Sequence, residues 1–168
     1  MFNFIINKIV NFTQNRNISN ISELYTYHKE EIKQLVTGLN AEVGLVLAGN
    51  NIKGLGIAGT FSNIAMVSNL DKIDLNTSSI VIAHEFAHLF GAWHTQKEFD
   101  FMLFRGANTL DVSKESKAIL KLMRNYNFNA NSIIKNDKLL KRISRLYRRH
   151  HARNEIDPVA RLLTDQGF

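Results

Sequence analysis

The chain has 168 residues, of which 45% are apolar, and this length and composition suit one domain with a sizeable hydrophobic core. It contains no cysteine, which excludes disulfide bonds and cysteine metal ligands. No apolar run approaches the roughly 18 residues needed to cross a bilayer. The net charge of +6 leaves an ordinary but basic globular protein.

The amino-terminal region predicts one long helix. Residues 1–10 are apolar but interrupted by asparagine and lysine, which favours a first helix or strand over a degenerate signal peptide. Across 21–39, apolar residues recur at three- and four-residue steps, which indicates a helix that packs on a sheet. Ser19 or Asn20 is placed to cap its start, and Gly38 to mark its end. The predicted apolar stripe is Leu24, His28, Ile32, Leu35 and Val36.

Three short strands are predicted next. The apolar run 41–48 lies between turn-forming residues and has the length and the valine and leucine content of a buried strand. Residues 55–61 and 64–68 indicate two further strands, and the first of them is rich in glycine. Glycine weakens a strand but lets another backbone approach, so this edge either carries no ligand or accepts an extended peptide.

The stretch HEFAHLFGAWH, which begins at His84, has the pattern HExxHxxGxxH of a three-histidine metal site. Residues four apart lie on one face of a helix, so His84 and His88 can point two imidazoles at one ion. His94 is the predicted third ligand. Gly91 stands where the helix must end and the chain turn back, because glycine enters the left-handed region at little cost. The full pattern arises by chance in roughly one protein of this size in a hundred thousand, so it dominates the interpretation.

Glu85 follows the first histidine and lies about 100° further round the helix, which places its carboxylate at the rim of the site. There it could take a proton from a water molecule and pass it to a leaving amine. The ion expected among three imidazoles is Zn²⁺, which lowers the pKa of a bound water to roughly 7 and polarises a carbonyl.

The helix that carries the motif is predicted to begin at one of the capping residues Asn76, Thr77 or Ser78. It is expected to have one face in the core and one face towards the cleft. The core face would be Ile82, Phe86, Leu89 and Phe90, and the cleft face Ile80, His84 and His88.

The rest of the chain predicts an irregular segment and two helices. Residues 95–106 are expected to be irregular, and 112–126 to form a helix capped by Ser113. Residues 125–136 are rich in asparagine and indicate a linker, which a basic helix over 138–153 follows. The basic residues of this tail are Lys135, Lys138, Lys141, Arg142, Arg145, Arg148, Arg149 and Arg153. Such a cluster is usually a solvated helix face, but it could also hold nucleic acid or an anionic membrane surface.

The metal motif and its surroundings resemble the metzincins, a group of zinc-dependent endopeptidases that carry a methionine on a tight turn beneath the metal. Met102 stands eight residues after His94, a spacing similar to that of the matrixins. The sequence LGIAG at 55–59 is similar to the edge strand above the cleft in the reprolysin (adamalysin) branch, which the upstream region resembles more. The resemblance covers roughly residues 41–125.

The chain departs from both branches at several points. Thr95 follows the third histidine, where reprolysins usually have aspartate and matrixins serine. Phe104 replaces a proline that is common two residues after the methionine, and the disulfides of reprolysins are absent. None of these differences affects the three histidines or Glu85.

The resemblance implies an α+β fold with a twisted mixed β-sheet, an active-site helix, a second packed helix and a small, mostly helical C-terminal subdomain. The catalytic domain would span 1–126, with the zinc cleft between 41–94 and 95–126, and the linker and basic tail would span 127–168. Substrate would contact the edge strand and an adjoining pocket wall, at Leu55, Gly56, Ile57, Ala58, Leu103 and Phe104.

The leading hypothesis is therefore a zinc metalloendopeptidase that acts on a protein or peptide substrate, with Glu85 as general base and then general acid. Two alternatives stay open: an inactive, zinc-stabilised peptide-binding module, and a protein whose basic tail binds nucleic acid or membrane. The resemblance favours a secreted protein. The absence of cysteine and of a clear signal peptide favours an intracellular one.

Overall fold

The computed structural model describes residues 8–9, 18–49, 51–60, 62–95, 97–103, 106–123 and 136–150. Within them lie four α-helices and three β-strands, so the predicted α+β class is confirmed. In chain order these are α1 (Ile21–Gly38), β1 (Gly44–Ala48), β2 (Gly56–Ala58), β3 (Ile64–Ser68), α2 (Leu75–Leu89), α3 (Lys114–Met123) and α4 (Asp137–His150). A 3₁₀ turn at Leu70–Lys72 precedes α2. The predictions for 1–10 and for the linker 125–136 fall almost entirely outside the described residues.

The sheet is mixed and has the strand order β1-β3-β2. The central strand β3 runs parallel to β1 and antiparallel to β2, with Met66 opposite both Val46 and Ile57. All five residues of β3 are buried, because it has a strand on each side and both α1 and α2 pack against it.

The strand predicted within 41–48 is confirmed as β1, but the prediction that it is buried is wrong. The observed strand, β1, lies at the edge of the sheet, and Leu47 is 67% exposed. Successive residues of a strand face opposite sides, so Val46 packs against the core cluster beneath α1 while Leu45 and Leu47 face away from it. A short apolar run looks the same whether its strand is central or at an edge, and only the strand order distinguishes the two.

Helix α1 confirms the predicted amino-terminal helix and one of its two candidate caps. Asn20 Oδ1 accepts a hydrogen bond from the Ser22 amide at 2.8 Å, and the helix ends at Gly38. Its buried face forms a cluster with the sheet that contains Ile21, Leu24, Ile32, Val36, Ile64 and Met66. Leu35 is predicted to lie on this buried face, but it is 38% exposed, because it lies about 100° from Val36 round the helix.

Helix α2 carries the HExxH residues and packs against β2 and β3. Its cap is Asp74, and the predicted caps Asn76, Thr77 and Ser78 are wrong. Asp74 accepts hydrogen bonds from the Thr77 amide at 3.0 Å and from the Thr77 hydroxyl at 2.6 Å. Thr77 thus occupies the third helical position and donates to the cap instead of forming it.

The two faces predicted for α2 also need correction. Ile80, expected to face the cleft, is only 3% exposed, whereas Ile82 and Phe86, expected in the core, are half-buried. Leu89 and Phe90 are buried as predicted. A two-faced pattern fails here because the helix is covered by the sheet on one side and by the segment 92–102 on another.

Helices α3 and α4 pack against each other. Ser113 caps α3 as predicted, since its Oγ accepts from the Ser116 amide at 3.2 Å. Helix α4 buries Leu139 and Ile143, so the described part of the basic tail rests on α3. No helix in the described ranges has both the length and the apolar character needed to span a bilayer.

Candidate metal centre

Three histidine side chains converge at the C-terminal end of α2. His84 and His88 lie one turn apart on the helix, as their spacing predicts. The helix ends at Leu89, and Gly91, two residues on, has a φ of 80° in the left-handed region and donates its amide to the His88 carbonyl at 2.8 Å. This reversal, which glycine adopts at little cost, brings His94 back to the other two rings.

The three Nε2 atoms form a triangle with sides of 3.1 Å. Nδ1 of His84 lies 2.8 Å from the Phe101 carbonyl, and Nδ1 of His88 lies 2.9 Å from the Ala92 carbonyl. A carbonyl oxygen only accepts hydrogen bonds, so each of these Nδ1 atoms must carry the ring proton. The Nε2 atoms of both neutral rings therefore face each other with lone pairs. Such an arrangement is repulsive unless a cation lies beside them.

This set of donors fits a metal ion. Zinc–nitrogen bonds of about 2.0–2.1 Å at tetrahedral angles hold ligand nitrogens roughly 3.3 Å apart, and the observed separation is 3.1 Å. Three imidazoles also leave a fourth position for water or substrate, as catalytic zinc sites do. Among the described residues, the cluster of His84, His88 and His94 is the one found that could hold a metal ion.

The protonation of His84 suits a ligand. Burial lowers the pKa of His84 to about 4, although its hydrogen bond to the Phe101 carbonyl acts in the opposite direction. The ring is therefore neutral near pH 7 even without a metal ion. Its Nε2 can bind a cation without first losing a proton.

The side chain of Glu85 is buried between α2 and β2, and its place at the rim of the metal site stays a prediction. Only 6% of its surface is exposed. Its carboxyl group packs on Gly56 of β2, where an added Cβ atom would lie 2.7 Å from Glu85 Cδ. Within the described part of the chain, Glu85 Oε2 has no hydrogen-bond partner. Burial raises the pKa of Glu85 to about 8, so a neighbouring cation is needed to keep the group ionised at neutral pH.

Met102 is fully buried in the segment that follows the third histidine. Its carbonyl accepts a hydrogen bond from the Thr95 amide at 2.8 Å, which closes the loop between them. The side chain belongs to a cluster with Ala87, Ala92 and Phe101. Ala87 and Ala92 flank the end of α2, so Met102 packs beneath the chain that bears the histidines. Its identity as a metzincin Met-turn stays a prediction.

The residues predicted to bind substrate differ in their exposure and in what they contact. Strand β2 is terminal in the described sheet and packs against α2, which places Gly56 beside Glu85. Leu55 is 42% exposed, whereas Ile57 packs into the cluster beneath α1 and so contributes to the core. The other members of the set are Ala58 and Leu103, which are half-buried, and Phe104, which lies outside the described residues.

Asp100 was missed in the sequence. It is fully buried, and its two carboxylate oxygens accept hydrogen bonds from the Met102 amide at 3.0 Å and from the Ser116 hydroxyl at 2.7 Å. The available signal was an acid between two phenylalanines, two residues before the methionine. An acid in so apolar a stretch either lies on the surface at a turn or is buried with polar partners.

The basic residues of α4 are exposed where the structure describes them. They are Lys138, Lys141, Arg142 and Arg145. Their spacing of three and four residues places them along one face of the helix, opposite the stripe that packs on α3. The predicted contact with nucleic acid or an anionic membrane stays a hypothesis, and the other basic side chains of the tail lie outside the described set.

Comparison of the chain with protein-family models, with curated proteins and with solved structures found no match. The function is therefore argued from the site's own residues and geometry, and membership of the metzincins stays a prediction.

Proposed function

We propose that this protein is a zinc-dependent metalloendopeptidase. The observation that carries the proposal is the triangle of Nε2 atoms on the helix that also bears Glu85, a buried acid whose Oε2 has no hydrogen-bond partner in the described region. Two of the three rings already have Nδ1 bonded to a carbonyl, so their Nε2 atoms are fixed as donors to a metal. A purely structural zinc site would be closed by a fourth ligand and would have no use for Glu85.

His84, His88 and His94 would hold the ion through Nε2. Zinc, when bound, would polarise the scissile carbonyl and lower the pKa of a water molecule. Glu85 would accept a proton from the attacking water as the water oxygen bonds to the carbonyl carbon. It would then pass that proton to the amide nitrogen as the carbon–nitrogen bond breaks, which yields a carboxylic acid and an amine.

The position of β2 supports an extended peptide substrate. A terminal strand has unpaired backbone groups on its outer side, with which a peptide can pair as an additional strand. Gly56 presents no side chain there and lies against Glu85, so nothing on this residue separates the peptide backbone from the acid. The substrate class that follows is an unfolded or flexible protein segment.

Metal analysis combined with a proteolysis assay tests the proposal. We expect the purified protein to contain about one zinc ion per chain and to cleave unfolded casein. A chelator should stop the cleavage, and added zinc should restore it. The Glu85→Gln variant should keep its zinc but lose the cleavage. Cleavage that persists without metal would refute the zinc mechanism.

A second candidate is an inactive, zinc-stabilised peptide-binding module. The burial of Glu85, which is only 6% exposed, favours this candidate, because a general base must reach water. This candidate predicts stoichiometric zinc but no cleavage anywhere in a peptide library. Chelator-sensitive cleavage of any member of the library would exclude it.

A further inference from the structure

Asp100 is a buried acid that accepts hydrogen bonds but forms no ion pair with any described residue. It is 0% exposed, and each of its carboxylate oxygens accepts one hydrogen bond, from the Met102 amide and from the Ser116 hydroxyl. The ion pairs formed among the described residues involve other acids. A buried carboxylate without a countercharge is costly even when hydrogen-bonded, so its charge calls for a compensating partner.

Asp100 is connected to the metal centre through the backbone. The residue after it, Phe101, supplies the carbonyl that lies 2.8 Å from Nδ1 of His84. The next residue, Met102, donates its amide to Asp100 Oδ1 and accepts from the Thr95 amide. The carboxylate of Asp100 thus bonds the residue after Phe101, whose carbonyl orients the first histidine. Through Ser116, it also ties this run to α3.

Charge balance points to the same residue. Three neutral imidazoles leave both charges of a divalent ion uncompensated. Asp100 carries one negative charge when ionised, and in a buried site that charge offsets part of the charge of the ion. Asp100 lies in the loop that follows the third histidine.

We infer that Asp100 is a positioning residue for the metal centre, which fixes the Phe101 carbonyl against His84 and supplies a negative charge that partly balances the ion. This inference rests on the proposed zinc site. It assigns to one side chain both the orientation of a ligand and a share of the metal affinity.

The Asp100→Asn variant removes the charge and keeps the shape. The amide oxygen can still accept from the Met102 amide, and the amide nitrogen can donate to Ser116 Oγ, because a hydroxyl also accepts. We expect zinc affinity, measured by competition with a chromophoric chelator at fixed pH, to fall about 10–100-fold. Urea unfolding of the metal-free variant should show unchanged or higher stability, because a buried charge without a cation is gone.

Ser113→Ala is the matched control. Ser113 caps α3 and lies 3.3 Å from Ser116 Oγ, but it makes no hydrogen bond to Asp100. This control should lower the stability of the metal-free protein and leave zinc affinity unchanged. Ser116→Ala keeps the charge but frees Asp100 Oδ2, so it should weaken zinc less than Asp100→Asn does. It should also shift the visible spectrum of the cobalt(II)-substituted protein.

Wild-type zinc affinity in the Asp100→Asn variant would overturn the inference and leave the zinc site standing. A wild-type protein that binds no zinc would remove both. If Asp100→Asn does not fold, Ser116→Ala decides the matter. An affinity and a cobalt spectrum identical to those of the wild type would then overturn the positioning role.

Discussion

The two buried acids, Glu85 and Asp100, differ in how their oxygens are satisfied. Asp100 has a hydrogen-bond donor on each oxygen, from Met102 and Ser116. Glu85 packs on Gly56, and its Oε2 has no partner among the described residues. A satisfied buried carboxylate can fix a loop, whereas an unsatisfied one lowers stability and is retained where chemistry needs it. The contrast separates the two roles: Asp100 would hold the metal centre, and Glu85 would move the proton.

The strongest test of this contrast is the rate of peptide cleavage in Glu85→Gln. The substitution keeps the size of the side chain and removes its ability to accept and return a proton. We expect kcat to fall about 10²–10⁴-fold, the usual contribution of general acid–base catalysis. Zinc content and the free energy of unfolding should stay close to those of the wild type. Steady-state kinetics on a fluorogenic peptide, with metal analysis of the same sample, would measure both.

A fall in zinc affinity in Glu85→Gln as large as that in Asp100→Asn would break the contrast, since both acids would then act mainly by compensating charge. Unchanged kcat would remove Glu85 from the chemistry altogether.

The next largest expected effect is the fall in melting temperature when the metal is removed. At a free zinc concentration 1,000 times the dissociation constant, binding stabilises the folded chain by about 4 kcal/mol. For a domain of this size, that corresponds to a rise of about 8–16 °C in the melting temperature. The repulsion among the inward-facing Nε2 lone pairs is relieved at the same time. Thermal unfolding with zinc and with chelator measures the difference.

The two acids should respond differently in that measurement. The rise in melting temperature on addition of zinc should persist in Glu85→Gln and be smaller in Asp100→Asn. His94→Ala should lose most of this rise in melting temperature, because only two of the three imidazoles then remain to bind zinc. A rise that survives in His94→Ala would mean that zinc binds elsewhere on the chain.

A smaller effect is expected from Gly56, the residue on which Glu85 packs. In Gly56→Ala the new methyl group would displace the carboxyl group of Glu85. A shift of about 1 Å in a catalytic group can cost up to about 100-fold in rate, so we expect kcat to fall about 10–100-fold with zinc affinity unchanged. Gly49→Ala is the matched control, because a Cβ atom at Gly49 meets no atom within 4 Å. Equal kinetics for the two variants would show that the position of Glu85 does not depend on β2.

The metal ligands were predictable because their arrangement is local. Two histidines one turn apart and a glycine at the helix end are fixed by helix geometry alone, and the structure brings His84, His88 and His94 together as their spacing predicts. The role of Asp100 was not predictable, because its partner Ser116 lies 16 residues further along the chain, on α3. The contact between Gly56 and Glu85 joins a strand to a helix and is equally invisible in a sequence.

The fold was predictable to a similar depth. The strands and the first helix appear close to their predicted positions, since apolar periodicity is a local property. The exposure of β1 could not be predicted, because it depends on the order of the strands in the sheet, where β3 and not β1 is central. The start of α2 failed for another reason. The sequence from Asp74 to Ser78 contains four residues that can cap a helix, and their geometry alone distinguishes them.

The smallest expected effect concerns Asp74, at the far end of α2 from the histidines. Hydrogen bonds from the side chain and the amide of Thr77 lower the pKa of Asp74 below its ordinary value of 3.8. Because the pKa in the folded chain is the lower one, the charged cap stabilises the fold above that ordinary value. The contribution is lost as pH falls through the folded value.

Asp74→Asn should therefore lower the free energy of unfolding of the metal-free protein near pH 6, and progressively less towards pH 3, in urea titrations at each pH. Asparagine is also a good cap, so the pH-dependent part of the difference isolates the charge. A difference that does not vary with pH would mean that the charge at Asp74 adds nothing to capping. Asp74 is exposed, unlike Glu85 and Asp100.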